Sequence, residues 1–398
     1  MRILFILPYG PSETRVRSRM LLAELARRHA ITLVGLCWNE SDRQALDDWA
    51  ARGLEVHAIP HGLRSWVGGA YRAVRQPLQH VVSTSPALAG EVRRLIAEAQ
   101  AAGQPFDVVH VEHLRGAAAA DLLAGFGVWT VYDAVDCISE LARLTWKLNP
   151  APITRLVAWR EQQPTRRLER AIALASDCTT VVAERDAEAL RELTPVARIE
   201  VIPNGVTCLP VPVELTCQPT VIFTGKLSYH ANQAAIRWFL AEAWPWVTQA
   251  VPDAQLVVAG ADPPGWLLDR ADGVAITVIA NPPEMASLIG EARVSIAPMP
   301  YSVGIQNKIL EAMAAGVPVV ATSAARSGIG PTGADALIHA DDPREFAAEV
   351  IRVLTEDRLA RQLGRLGYDY VRANHSWEAA ASHFEALYAP ERVMQWTA

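Results

Sequence analysis

The residues best suited to chemistry stand together at 304–316, in GIQNKILEAMAAG. Pro298 to Pro300 close an apolar run, Tyr301 to Asn307 read as a loop, and Lys308 to Ala315 read as a short helix ended by Gly316. A helix N-terminus offers unpaired N–H groups and the positive end of a dipole. Gly304 would let the backbone approach a ligand and Lys308 adds a full charge, so the stretch suits a diphosphate. Glu311 lies one turn beyond Lys308 on the same face. A carboxylate there can accept two hydrogen bonds from vicinal hydroxyls, such as those of a ribose. The same residues would also serve as a plain helix start with a surface Glu–Lys pair, and chemistry by itself leaves both readings open.

Other candidates follow apolar runs. Gly225-Lys226 comes after PTVIF, Glu112-His113 ends FDVVHVEH, and Tyr132-Asp133 lies in VWTVYDAVD. The loop PYGPSETRVRSR (8–19) joins Gly10 to Arg15, Arg17 and Arg19, a second element friendly to anions. Helical spacing puts Arg15 and Arg19 on one face and turns Arg17 elsewhere. A solvated basic first turn capped by Ser12 or Thr14 is the competing reading.

The elements that must position these residues show in the hydrophobic pattern. Apolar runs at 2–8, 31–38, 54–60, 106–113, 128–135, 178–183 and 198–203 alternate with amphipathic stretches such as 17–29 and 87–103. The pattern restarts with strands at 219–225, 254–260, 274–279, 294–299, 317–322 and 336–340, and with helices at 232–250 and 343–357. Alternation of this kind predicts two α/β domains, each a doubly wound parallel sheet covered on both faces. The proline-rich, aperiodic loop 203–219 separates them, giving domains 1–207 and 208–379. A helical tail, 380–398, is expected to pack back on the first domain. In such sheets ligands bind at the carboxyl ends of the strands.

Bulk properties agree. A chain of 398 residues is too long for one ordinary core. With 51% hydrophobic and 20% charged residues and a net charge of −6, it reads as globular, and no nucleic-acid partner is expected. Residues 1–205 carry 24 basic and 23 acidic side chains, the remainder 13 and 20, so contact with an anionic partner is expected in the first half. The five cysteines show no Cys-x-x-Cys spacing, which fits reduced thiols and a cytoplasmic location.

The stretch GIQNKILEAMAAGVPVVAT resembles the nucleotide-sugar signature of retaining glycosyltransferases of the GT4 family, which have the GT-B fold of two Rossmann-like domains facing across a cleft. It is closer still to bacterial sugar transferases associated with exopolysaccharide and PEP-CTERM systems. The resemblance also covers FTGKLSYHANQAAIRWF (223–239), AQLVVAGADPP (254–264) and ARSGIG…ALIHADDPREFA (325–347). It implies transfer of a hexose from a nucleotide diphospho-sugar, most simply a UDP-sugar, to an acceptor hydroxyl, with no metal or other cofactor. Glu311 matches the glutamate that holds the ribose, and Gly304, Ile305, Gln306 and Asn307 match the backbone that meets diphosphate and sugar. The partner glutamate would stand at Val303, a departure that bears on the identity of the donor sugar.

Gly225 and Lys226 match the pair that neutralises the leaving diphosphate. A second lysine usually follows at Ala231 or Asn232, which leaves that charge to Lys226 and Lys308. Asn281, in the loop 280–283, matches the site of nucleobase readout. The resemblance places Gly10, Arg15, Arg19 and Glu112 on the acceptor side. Tyr132 stands where many members carry a histidine, and Tyr132, Asp133 and His113 are the candidates for catalysis on that side. Two segments mixing arginine with aromatics, 63–79 and 141–171, suit either an anionic membrane face or ordinary core-facing helices. A UDP-sugar 2-epimerase of the same architecture, or a relative that binds nucleotide sugar without transferring it, are the other readings.

Overall fold

Strand β1 (Arg2–Leu7) shows how the first half is built. Its side chains alternate across the sheet. Leu4 and Ile6 enter one apolar cluster, and Ile3, Phe5 and Leu7 enter another on the opposite face. A strand buried on both faces must be apolar at every position, which is how RILFIL reads. The computed structural model describes residues 1–13, 15–62, 76–116, 127–208 and 216–388. Most of segment 63–79, the linker residues 209–215, Thr14 and the tail beyond 388 lie outside the described residues.

The other strands of the first sheet are β2 (Ala30–Cys37), β3 (Glu55–Pro60), β4 (Val108–Glu112), β5 (Trp129–Val135), β6 (Cys178–Val181) and β7 (Ile199–Val201). Their spatial order is β3-β2-β1-β4-β5-β6-β7. A second sheet contains β8 (Thr220–Thr224), β9 (Gln255–Gly260), β10 (Ile276–Ala280), β11 (Val294–Ala297), β12 (Val319–Ala321) and β13 (Ile338–His339), in the order β10-β9-β8-β11-β12-β13. Every pairing in both sheets is parallel. The strand order reverses between β1 and β4 in one sheet and between β8 and β11 in the other, and the crevice of a doubly wound sheet opens at such points.

The chain divides into two compact units. One comprises Met1–Ala142, Trp159–Pro203 and the segment from Trp377, and the other Arg143–Ala158 with Asn204–Ser376. The boundary therefore falls at 203/204 and not at 207/208. Asn204 is already tied into the second unit, since its carbonyl binds His375 Nδ1 at 2.9 Å, and the Val206 N–H donates to the His375 carbonyl. The second departure is the excursion 143–158, which packs with the later unit although it precedes the linker. The C-terminal helix is Trp377–Tyr388. Trp377, Ala380, Ala381, Phe384, Leu387 and Tyr388 recur at helical spacing and enter the apolar cluster of β1 in the first unit.

One expected element is interrupted. The helix read at 232–250 is two helices, His230–Trp238 and Trp244–Ala250, joined by a π-helical turn, Phe239–Ala243. Pro245 has no N–H for the preceding turn and its ring clashes with the carbonyl four residues back, so the wider turn accommodates it.

Candidate functional site

In the second unit, the two strands at the order reversal each deliver a segment of the site. β8 runs into Gly225-Lys226, and β11 into the loop that opens the helix Asn307–Ala315. The loop floor is set by two glycines. Gly260, at the end of β9, has φ +157°, and a Cβ there would fall 1.7 Å from the Gly225 carbonyl oxygen. Gly225 has φ +141°, and a Cβ on it would fall 2.9 Å from Asn232 Nδ2 and 3.4 Å from Lys308 Nζ. The missing side chains let Lys308 reach under the β8 loop.

Lys308 is buried. Its ammonium donates to Asn232 Oδ1 at 2.7 Å and lies 4.1 Å from the centre of the Phe223 ring. Asn232 Nδ2 in turn donates to the Lys226 carbonyl at 2.9 Å. Burial pushes the Lys308 pKa down to about 7, against the pull of Glu311. Burial likewise raises Glu311, and Lys308 moderates the rise. Each thus draws the other toward its charged form, against the cost of burial.

The start of that helix has no side-chain cap. Gln306 occupies the N-cap position and makes no side-chain capping bond. Asn307 is exposed, and its Oδ1 accepts from Asn204 Nδ2 at 2.9 Å. Gly304 is left-handed at φ +62°, and Ile305 and Val303 are buried beside it. Lys226 is solvent-exposed and pairs with Asp262 at 3.5 Å. Asn281, also left-handed and exposed, follows β10, and its N–H donates to the Gly260 carbonyl.

The first unit departs further from the expected roles. Asp133 is fully buried and grips Arg17 in a forked pair, Oδ2 to Nε at 2.7 Å and Oδ1 to Nη2 at 3.0 Å. Thr180 Oγ1 also donates to it at 2.8 Å, and Arg17 Nη1 reaches the Ile202 carbonyl. Asp133 is thus a structural anchor, not a free catalytic carboxylate. Tyr132 points into the apolar cluster and is 2% exposed, which removes it from catalysis as well. Gly10 is corrected too. A Cβ there would strike the Asp42 carbonyl at 2.4 Å, and its N–H already donates to Asp42 Oδ1, so this glycine serves packing and not an anion.

Glu112 is buried, accepts from Tyr9 Oη at 2.6 Å and Ser18 Oγ at 2.5 Å, and is pushed up to about 7 by burial and by Asp133. His113 is left-handed at φ +63° and is held neutral by burial, down to about 3. Its Nδ1 accepts from the Arg115 N–H at 3.3 Å. Arg15 lies over the Tyr9 ring at 4.2 Å, and Arg19 pairs with Glu13. His110, Glu112 and Asp133 bring potential ligand atoms within 4.8 Å of one another. With the Arg17 guanidinium already on Asp133, that group does not suit a cation.

Three features escaped the sequence reading. Asn232 registered only as an absent lysine, yet it links Lys308 to the Lys226 backbone. Asn149 Nδ2 donates to Tyr301 Oη at 2.6 Å, and Tyr301 Oη lies 2.8 Å from His230 Nδ1, a chain that braces the head of the loop 301–307. Asp136 directly follows Val135, a β-branched residue at φ +67° where the β5–β6 register shifts. A β-branched residue rarely adopts this region. Asp136 is partly exposed, no hydrogen bond to its carboxylate is found among the described residues, and burial with Asp186 pushes it up to about 7.

Comparison with known proteins agrees with this architecture. A domain model described as "Glycosyl transferase 4-like domain" matches residues 13–205, and one described as "Glycosyl transferases group 1" matches 218–356. The fold is GT-B, and the chain carries both domains of a GT4-type glycosyltransferase. Sucrose-phosphate synthase from Thermosynechococcus elongatus superposes with a TM-score of 0.69 at 16% identity, covering 99% of each chain. Anabaena Alr3699/HepE in complex with UDP superposes at 0.65 and 12% identity, covering 97% of this chain and 98% of that one. A curated relative, an uncharacterized 44.6 kDa protein in the cps region of Klebsiella pneumoniae, is 28% identical over 163 residues. That match takes in 39% of this chain and about two fifths (42%) of the relative's length.

Proposed function

We propose that this chain is a retaining transferase moving a hexose from a nucleoside diphospho-sugar to an acceptor hydroxyl. The observation that carries the reading is the buried Lys308, held by Asn232 under Gly225, beside Glu311 and the uncapped start of its helix. The C1–O bond to the diphosphate breaks and a bond from the acceptor oxygen to C1 forms on the same face. The acceptor proton passes to the departing phosphate. Lys308, Lys226 and the helix N–H groups stabilise the charge that develops there, which is the main electrostatic demand of the step. Gly304 to Asn307 meet the diphosphate and sugar, Glu311 holds the ribose hydroxyls, and Asn281 lies at the base. No metal is required in this scheme.

A uridine donor is favoured by the solved HepE complexes with UDP and UDP-glucose. The relative in the cps region favours an acceptor in exopolysaccharide assembly. An acceptor carried on lipid would bring the protein to the inner face of a membrane. Among the described residues no helix is long and apolar enough to cross one.

Thermal stability measured against UDP, GDP, ADP, dTDP and CDP series should rise with one series. That rise should disappear in Glu311→Ala, with the unliganded Tm unchanged. Absence of any rise in the wild type would sink the donor-site reading. A rise without nucleoside diphosphate release in the presence of acceptor would favour a binding protein without transfer.

On the acceptor side the open carboxylate is Asp136, since Asp133 is spent on Arg17. Because the acceptor proton goes to the phosphate, Asp136 is assigned the orientation of the acceptor hydroxyl, and Asp136→Asn is expected to lower kcat about 10²-fold while leaving the nucleotide-dependent rise in Tm intact. Unchanged kcat in that variant would remove Asp136 from the reaction.

A further inference from the structure

Among the described residues, large exposed apolar side chains cluster at the pair of helix ends around 146–157. Of the fourteen large hydrophobic side chains exposed among the described residues, five lie between Trp146 and Val157. Leu148 is 49% exposed, Ile153 77%, Leu156 64%, Val157 46% and Trp146 37%. Trp146 and Leu148 end the helix Ile138–Leu148, and Ile153, Leu156 and Val157 share one face in the opening turns of the helix Pro152–Ala175.

This surface is not a core displaced outward. The inner side of the same segment is packed, with Leu144, Thr145, Asn149 and Ala158 all buried. The turn is also held in shape. Asn149 Oδ1 accepts from the Ala151 N–H at 2.8 Å, and Arg155 Nε donates to the Trp146 carbonyl at 2.9 Å. Charge points to the partner. Residues 143–158 contain Arg143, Lys147 and Arg155 and no Asp or Glu, in a chain whose net charge is −6.

We propose that Arg143–Ala158 is a docking surface for an anionic lipid bilayer. The apolar side chains enter the boundary between headgroups and acyl chains, and the cations meet the headgroup phosphates. Between Trp146 and Val157 the patch carries Lys147 and Arg155 and no carboxylate, which complements an anionic headgroup surface. Tryptophan with aliphatic and basic residues is the composition that interfacial segments share. The contact thus belongs to the second unit, although its residues lie in the basic first half of the sequence. Asn149, buried behind the surface, bonds Tyr301 at the head of the donor loop, so the docked segment is tied directly to the donor side of the site. That link to transfer rests on the transferase reading, whereas the docking surface stands on exposure and charge.

The test is flotation of the full chain with phosphatidylcholine vesicles and with phosphatidylcholine–phosphatidylglycerol vesicles. Wild type should float with the anionic vesicles, weakly with the neutral ones, and less as salt rises. The combined variant Ile153→Ser, Leu156→Ser, Val157→Ser should lose at least about tenfold in partitioning. Lys147→Glu should lose the preference for anionic over neutral vesicles. Both variants should keep the nucleotide-dependent rise in Tm, which separates a failed surface from a failed donor site. Wild type that ignores both vesicles, or a triple variant that floats as well as wild type, would overturn the proposal. A concentration-dependent dimer of the wild type that the triple variant abolishes would overturn it as well, by assigning the face to a second copy.

Discussion

Lys308→Met is expected to lower turnover by about 10²–10³-fold, the usual loss when one preorganised donor to a developing oxyanion is removed. The fold should not weaken with it. The ammonium is buried against Phe223 and beside Met299, an environment that methionine suits better than a charge. The sign follows from the depressed pKa. Below the unfolded value of 10.5 the unfolded chain holds a proton that the folded site resists, so wild type loses stability as pH falls from there to about 7. The variant lacks that loss, and at pH 7 its Tm should equal or exceed that of wild type.

A diphosphate favours the ammonium, so its arrival at pH 8–9 should draw a proton onto Lys308 and affinity should fall as pH rises through that window. Calorimetry in buffers of different ionisation enthalpy reads the uptake, which should be absent in Lys308→Met. Proton uptake that persists in the variant would show that Lys308 is not the group that meets the diphosphate.

Gly260→Ala should have the largest effect on stability. Its Cβ would fall 1.7 Å from the Gly225 carbonyl oxygen, a backbone atom that cannot swing aside, and its φ of +157° is strained for any other residue. A cost above about 4 kcal/mol is expected, lowering Tm by roughly 10 °C or more. Gly265→Ala is the control, because nothing lies within 4 Å of a Cβ there and its φ is not in the left-handed range. That variant should melt within about 2 °C of wild type. If Gly260→Ala melted with the control, the close apposition of the β8 and β9 ends would be wrong, and with it the placement of Lys308.

Sequence alone determined the thirteen strands found among the described residues and their grouping into two sheets, because burial on both faces leaves an apolar run that a helix pattern does not imitate. It also placed Gly225, Lys308 and Glu311 at strand ends and on the first turns of a helix, since strand, loop and helix start are local events. The pairings that span the chain were decided only by tertiary structure. Nothing near Asp133 announces that Arg17, more than a hundred residues earlier, will hold its carboxylate in a dry interior, or that Asp136 will be the carboxylate left open. Asn232 reads as a neutral helix residue until β8 and the helix Asn307–Ala315 bring Lys308 within 2.7 Å of it. The fate of 143–158 was open for the same reason. An amphipathic helix pattern states that one face is apolar, but whether that face meets a core or solvent depends on what the rest of the chain packs against it. Here Tyr301 takes Asn149 and the inner side, and Ile153, Leu156 and Val157 are left outward.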